Sequence, residues 1–338
     1  MAKHGLRQGE DHEFAEWLVR EGIDSISLNP DGSKSKEQFM TRISNILIPV
    51  DFSDASRKAM HYATHLAMRF SAKLTVAHII PSLGAFDYGH PHDPREFEKK
   101  AFVETRRLLP EEIPEAYREL LNSQTIVKCG DVQDELLGIV TAESVDLIVM
   151  GTHGRRRLER FFLGSTAESM LRRVSVPILM VSKRGTDQQT ELPFDVPFRR
   201  ILYSTDLPEA NLPGLHYCAD LARSLGAHLT LLHVIELRDT PTFEDESEIH
   251  ARRMGELHKA IEREHGGDLG VATEVARGIP HREILKFAEG MNADLIVINL
   301  QSKGLLERAL LGSTAERVIR SARIPVLSIP GPATSGDR

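Results

Sequence analysis

The chain has 338 residues, 41% of them hydrophobic and 27% charged, which suits two ordinary domains plus an extension. A formal net charge of -7 excludes general affinity for nucleic acid, because that requires a basic footprint to displace counterions. The 2 cysteines, Cys129 and Cys218, support neither a disulfide framework nor a cysteine-based metal site.

Residues 1–40 read as an N-terminal extension. Met1 to Glu10 carries no apolar signal core and no later run reaches membrane-spanning length, so the expectation is a cytoplasmic protein with no membrane partner. Phe14, Trp17, Leu18 and Ile23 predict a short amphipathic helix, and Ser25 to Leu28 a strand that stops at Asn29-Pro30-Asp31-Gly32. The segment from Glu13 to Asp31 resembles the C-terminal end of phosphoenolpyruvate synthases and their dikinase relatives. That family carries a catalytic cysteine shortly before this helix, whereas Gly5-Leu6-Arg7-Gln8 has none. The extension is therefore read as a relic or docking tail without phosphotransfer chemistry, followed by a polar linker from Gly32 to Glu37.

A first domain is expected over 41–183. Ile46 to Val50 is a continuous apolar run, as a parallel strand covered on both faces requires. At its end Ser53 or Asp54 can cap a helix through Ala55, Ala59, Tyr62, Ala63, Leu66 and Ala67. Lys73 to Ile80 is a second strand, Pro94 to Leu109 a charged helix, Gln124 to Lys128 a third strand and Val132 to Ala142 a helix. The stretch from Val145 to Glu168 holds the main functional signal. A fourth strand, Asp146 to Met150, ends at Gly151; Gly154 follows, then nine residues, and Gly164-Ser165-Thr166 opens a helix to Val174. Glycines let main-chain N–H groups approach a phosphate, and a helix start adds unpaired donors and a positive dipole end. Pro177 to Val181 is a fifth strand. Strands alternating with helices call for an α/β fold with a parallel sheet and right-handed crossovers.

After a linker from Lys183 to Pro197 the pattern recurs over 198–331. Asp206 follows Asp51 by 155 residues, as Val234 follows Ile79, whereas Gly278, Asp294 and Pro325 follow Gly130, Asp146 and Pro177 by 148. The chain is a duplication whose first copy is longer between its second and third strands, around Tyr88, His90 and His92.

With both copies laid out, the chain resembles a tandem member of the universal stress protein family. Pro49-Val50-Asp51, the Gly151 to Ser165 pattern and the closing Val-Pro-Ile-Leu-Met-Val carry the likeness. The resemblance implies two five-stranded sheets of order 3-2-1-4-5 and ATP at the C-terminal strand ends. Pro49, Val50 and Asp51 would lie at the ribose or base and Ile79 beside adenine. Gly151, Thr152, His153, Gly154, Gly164, Ser165 and Thr166 would surround the phosphates. It also implies pairing of the two fifth strands within one chain, a pseudo-dimer, with a homodimer as a further assembly and a protein partner of unknown identity.

Other readings of these residues stay open. Asp51 could cap the next helix, Gly151 and Gly154 could serve tight turns, and Arg155 to Arg157 could be a solvated charge run. His90 and His92 with Asp87 or Asp93 invite a metal reading, but nothing completes the coordination, so no protein-held metal is expected. Mg²⁺ or Mn²⁺ would arrive on the nucleotide. In the second copy Asn299 and Ser302 stand for Gly151 and Gly154, and Ser204-Thr205 for Pro49-Val50. Asp206, Val234, Gly312, Ser313 and Thr314 would form a weaker or empty second site. No P-loop, kinase set or nucleophile elbow is present. The expected function is a nucleotide-dependent sensor or adaptor in stress response rather than an enzyme, with slow incidental ATPase activity left open. A nucleotide-free scaffold and a phosphotransfer accessory are the alternatives.

Overall fold

In the computed structural model, which describes residues 43–82, 94–152, 163–182, 198–206, 212–236, 245–265, 271–300 and 312–330, the apolar runs become strands and the mixed segments helices. The first half runs β1 (Asn45–Pro49), α1 (Asp54–Phe70), β2 (Lys73–Pro81), α2 (Pro94–Leu108), a 3-10 turn (Leu109–Glu112), α3 (Glu115–Arg118), β3 (Ser123–Gly130), α4 (Val132–Ala142), β4 (Leu147–Gly151), α5 (Ser165–Arg173) and β5 (Ile178–Val181). The second runs β6 (Arg200–Ser204), α6 (Leu212–Leu225), β7 (His228–Glu236), α7 (Glu246–His265), β8 (Ala272–Gly278), α8 (Pro280–Gly290), β9 (Leu295–Leu300), α9 (Ser313–Ser321) and β10 (Val326–Pro330). The N-terminal extension, the loop with His90 and His92, the interdomain linker and the C-terminal tail lie outside the described residues.

Local chemistry sets the boundaries. Ser53, in extended backbone, accepts the Ser56 N–H through its hydroxyl at 3.2 Å and so caps α1. The helix stops where Ser71 turns left-handed at φ 52°. Asp131 caps α4 by accepting the N–H groups of Gln133 and Asp134.

The α/β class expected from the sequence is the one observed. The detail that differs is that the strands form one ten-stranded sheet in the order β3-β2-β1-β4-β5-β10-β9-β6-β7-β8. Within each half the neighbours are parallel; the halves join where β5 and β10 run antiparallel, with Leu327 opposite Leu179 and Val326 opposite Met180. Alternation along the strands then divides the core in two. Ile46, Ile48, Val149, Leu179, Leu327, Tyr203 and Val297 face one layer with α1 and α6. Leu47, Ile148, Met150, Met180, Val326, Leu202 and Ile298 face the other with α4, α5, α8 and α9. Each layer crosses the seam without a break, and Thr41 to Arg338 forms one compact unit. Across the same seam the Tyr62 ring of α1 stacks on Phe198, just before β6, at 5.5 Å.

A matching carboxylate tie holds the other end of each crossover. Asp146 accepts the N–H groups of Ser44 and Asn45 at 2.7 and 2.8 Å, and Asp294 those of Arg199 and Arg200, both at 2.8 Å. One carboxylate oxygen thus takes two main-chain donors at the start of the neighbouring strand. Asp294 is 8% exposed, so little water can replace it. Asp294→Ala is expected to lower stability by about 1–3 kcal/mol, read as a lower urea midpoint with an unchanged slope.

Candidate functional site

Strand order places β1 beside β4, but their following helices leave to opposite faces: α1 belongs to one core layer and α5 to the other. The carboxyl ends of two such strands flank a crevice, the position where open α/β sheets hold ligands. In the first half the β1–β4 ladder has the registers Ile46–Leu147 and Leu47–Ile148 and goes no further. In the second half the ladder continues through Tyr203–Val297 to Ser204–Ile298. Pro49 stands where Ser204 stands, and a proline has no N–H to give a ladder. The first ladder therefore stops short of the second.

Several of the residues singled out from the sequence lie at these strand ends. Val50 follows β1; its N–H donates to Ala77 O at 2.8 Å and its carbonyl accepts from His78 Nδ1 at 2.6 Å. Asp51 is half-buried and uses one carboxylate oxygen to accept the Ser53 N–H at 3.0 Å, bridging Phe52, whose φ of 60° is unusual for a bulky residue. Asp51 thus shapes the turn while Ser53 caps the helix. Ile79 is buried near the end of β2. On the other side, the Gly164 N–H donates to Thr152 O at 2.9 Å, which ties the start of α5 to the end of β4. Thr152 is buried, Ser165 exposed and Thr166 half-buried. Gly164 is the N-cap of α5 and offers no side-chain acceptor to the first-turn donors. His153 and Gly154 lie outside the described residues.

Gly151 has a packing reason of its own. A Cβ there would come within 2.9 Å of Ala55 Cβ and 3.0 Å of the Ala55 carbonyl carbon, so the glycine admits the first turn of α1. In the second half a side chain stands at the matching strand position, and the helix gives room elsewhere. Asn299 occupies the strand position, and the facing helix carries Gly214, whose added Cβ would lie 2.5 Å from Asn299 Oδ1 and 2.7 Å from Tyr203 OH. Asn299 Nδ2 donates to Tyr203 OH at 2.6 Å. Burial, then the nearby Cys218, holds the Tyr203 phenol well above its usual pKa, so it stays neutral. Asp206 is exposed, Val234 buried, and Gly312, Ser313 and Thr314 open α9 much as Gly164 to Thr166 open α5.

Two groups were missed in the sequence although the repeat marks both. His78 and His233 occupy the same place in the two copies, and His233 Nδ1 meets Thr205 O at 3.0 Å as His78 meets Val50. Donation to a carbonyl puts the proton on Nδ1, and burial lowers the His233 pKa. The His78 ring also lies 5.0 Å from Phe52, so each histidine locks the strand end that leads into the crevice. The second missed group is Tyr203 and Gly214, which meet Asn299, a residue read from the sequence only as the replacement for Gly151. Among the described residues no group of three or more His, Cys, Asp and Glu side chains is arranged to hold a metal, and no helix is long and apolar enough to cross a membrane.

Comparison with known proteins gives a consistent picture. The Universal stress protein family pattern matches residues 42–182 and again 197–330. A universal stress protein of Mycolicibacterium smegmatis is 28% identical over 298 residues, covering 84% of this chain and 96% of the relative. One from Methanocaldococcus jannaschii is 33% identical over 143 residues, 40% of this chain and 84% of its own length. The crystal structure of a universal stress protein from Archaeoglobus fulgidus superposes with a TM-score of 0.63 at 24% identity, over 86% of this chain and 99% of that one. The last likeness bears on the fold alone.

The close approach of Gly214 to Asn299 predicts a coupled pair. Gly214→Ala should destabilise by about 1–3 kcal/mol through overpacking. With Asn299→Ala the two losses should fail to add by at least ~0.5 kcal/mol, read from urea unfolding of the four chains in a double-mutant cycle.

Proposed function

The chain belongs to the universal stress protein family, and from that premise we propose that its first half holds one adenine nucleotide, ATP, with Mg²⁺ or Mn²⁺ carried on the phosphates. The observation that supports this is the β1–β4 ladder that stops at Leu47–Ile148, while its counterpart zips to Ser204–Ile298. Strand ends that stop pairing next to the start of α5 would give a polyanion a place to sit. Its donors are the first-turn N–H groups behind Gly164, which carry the positive end of the helix dipole. Asp51 has a second carboxylate oxygen to offer a ribose hydroxyl. No general base or in-line nucleophile is named among these residues, so the reading is binding rather than turnover. Bound nucleotide would favour one arrangement of the segment between Thr152 and Gly164 and thereby bias the surface presented to a protein partner.

The second half favours a different reading. Its ladder runs on to Ser204–Ile298, and Asn299 donates to Tyr203 OH beside it, which suits a scaffold that completes the sheet and binds no nucleotide.

Nucleotide released from gently purified protein and identified by mass spectrometry should amount to about one adenine nucleotide per chain. Titration calorimetry on stripped protein should give one site. Gly164→Val is expected to weaken it at least tenfold, about 1.4 kcal/mol, by crowding the approach to α5. Pro49→Ser, which imitates the second half, should weaken binding without loss of thermal stability. Stripped protein that gives no heat with millimolar ATP or AMP would leave the scaffold reading for both halves.

A further inference from the structure

Away from the crevice, one surface changes the sign of its charge between the two halves. It lies on the layer formed by α4, α5, α8 and α9, where each residue of the second half follows its counterpart by 148. In the first half this surface opens with Asp131, Asp134 and Glu135. Asp131 and Asp134 are exposed. Arg173 of α5 stands 2.8 Å from Asp134, yet the Asp134 side chain stays 68% exposed, and Glu135 pairs with Lys128 at 2.9 Å. In the second half Ile279 replaces Asp131, Arg282 replaces Asp134, and Arg317 of α9 replaces Ser169 of α5.

The second surface is basic and is not balanced from within. Arg282 and Arg317 are exposed, and among the described residues neither has an ion-pair partner. Both act on His281, whose pKa is lowered by burial first and then by the charges of Arg317 and Arg282. Ile279, the N-cap of α8, is 41% exposed beside them. An apolar side chain bordered by unpaired cations suits a partner surface that excludes water at its centre and supplies carboxylates around it.

The duplication provides such a surface on the same molecule. α4 packs on β2 and β3 and α8 on β7 and β8, at opposite ends of the sheet, so the acidic and basic surfaces are held apart within one chain. A second copy turned about a two-fold axis can lay the acidic surface of each chain on the basic surface of the other. The contact is then made twice, and the assembly closes at two chains.

We propose that two copies of this chain associate face to face through this helix layer, with Asp134 of each copy against Arg282 of the other, Arg317 alongside, and Ile279 covered between them. Charge decides which surfaces meet, because the alternative arrangement would set Arg282 against Arg282. The contact uses neither the β5–β10 seam nor the residues assigned to the nucleotide, so its failure would leave the nucleotide reading untouched.

Sedimentation velocity of the full chain provides the test. The wild type is expected to form a dimer that weakens several-fold as salt rises from about 0.05 M to about 0.5 M. Arg282→Asp and Asp134→Arg should each weaken it by about tenfold or more, since each change enters the contact twice. Both positions are exposed, so the thermal midpoints of the variants should stay close to that of the wild type. Placing both substitutions in one chain exchanges the charges and should recover most of the lost affinity. The proposal is overturned if the wild type is a monomer at its highest soluble concentration, or if its dimer is indifferent to Arg282→Asp. It is equally overturned if the doubly substituted chain dissociates as readily as the single variants, which would assign Arg282 to a different acidic partner.

Discussion

The antiparallel pairing of β5 with β10 is the contact on which the rest of the architecture depends. A strand edge lined with Ile178, Leu179, Met180 and Val181 would be an open template for other chains. Facing it with Val326, Leu327 and Ser328 closes it within the molecule, and Ser328 adds a hydroxyl hydrogen bond to Ile178 O at 3.1 Å. Because side chains alternate, this one short ladder makes both core layers continuous: Leu179 and Leu327 join one, Met180 and Val326 the other. Each half then buries part of its apolar surface against its copy. The Tyr62–Phe198 stack extends that dependence beyond the strands. Burial raises the pKa of Tyr217, the counterpart of Tyr62.

A shared frame leaves the two crevices free to diverge. What separates them is small in composition and large in effect. Pro49 withholds one donor from a ladder, and Ser204 does not. Gly151 makes room for Ala55, while Asn299 takes room that Gly214 leaves. In both halves the volume between strand and helix is filled, as close packing demands, but the atoms that fill it differ: a helix methyl group in one, a carboxamide bonded to a buried phenol in the other. Two differently built strand ends follow from these exchanges without any change in the strand order.

Much of the candidate site was legible in the sequence because its signals are local. Strand ends at Pro49 and Gly151, the Gly164-Ser165 helix start and the repeat offsets all depend on residues close together in the chain, where hydrogen-bond geometry and periodicity act directly. Gly151 shows where such reading stops. Its spacing suggests phosphate contact, yet its missing side chain is also required by a helix nearly a hundred residues earlier, and only the fold brings Ala55 there. The 3-10 turn and α3 were not anticipated, since their short apolar pattern of Leu109, Ile113 and Tyr117 becomes intelligible only against the layer they cover. The histidines on β2 and β7 were passed over because their partners, the carbonyls of Val50 and Thr205, lie across a strand pairing.

By itself the sequence determined that this is a duplicated α/β protein, where its strands and helices lie, and which residues end them, because propensity, periodicity and capping are properties of neighbours in the chain. The tertiary structure alone decided which residues meet across the β5–β10 seam, that the β1–β4 ladder stops at Leu47–Ile148 while the β6–β9 ladder reaches Ser204–Ile298, and that Gly151 faces Ala55 whereas Asn299 faces Gly214. Those outcomes depend on which surfaces meet and on how much volume each leaves, and such contacts join residues that the chain itself keeps far apart.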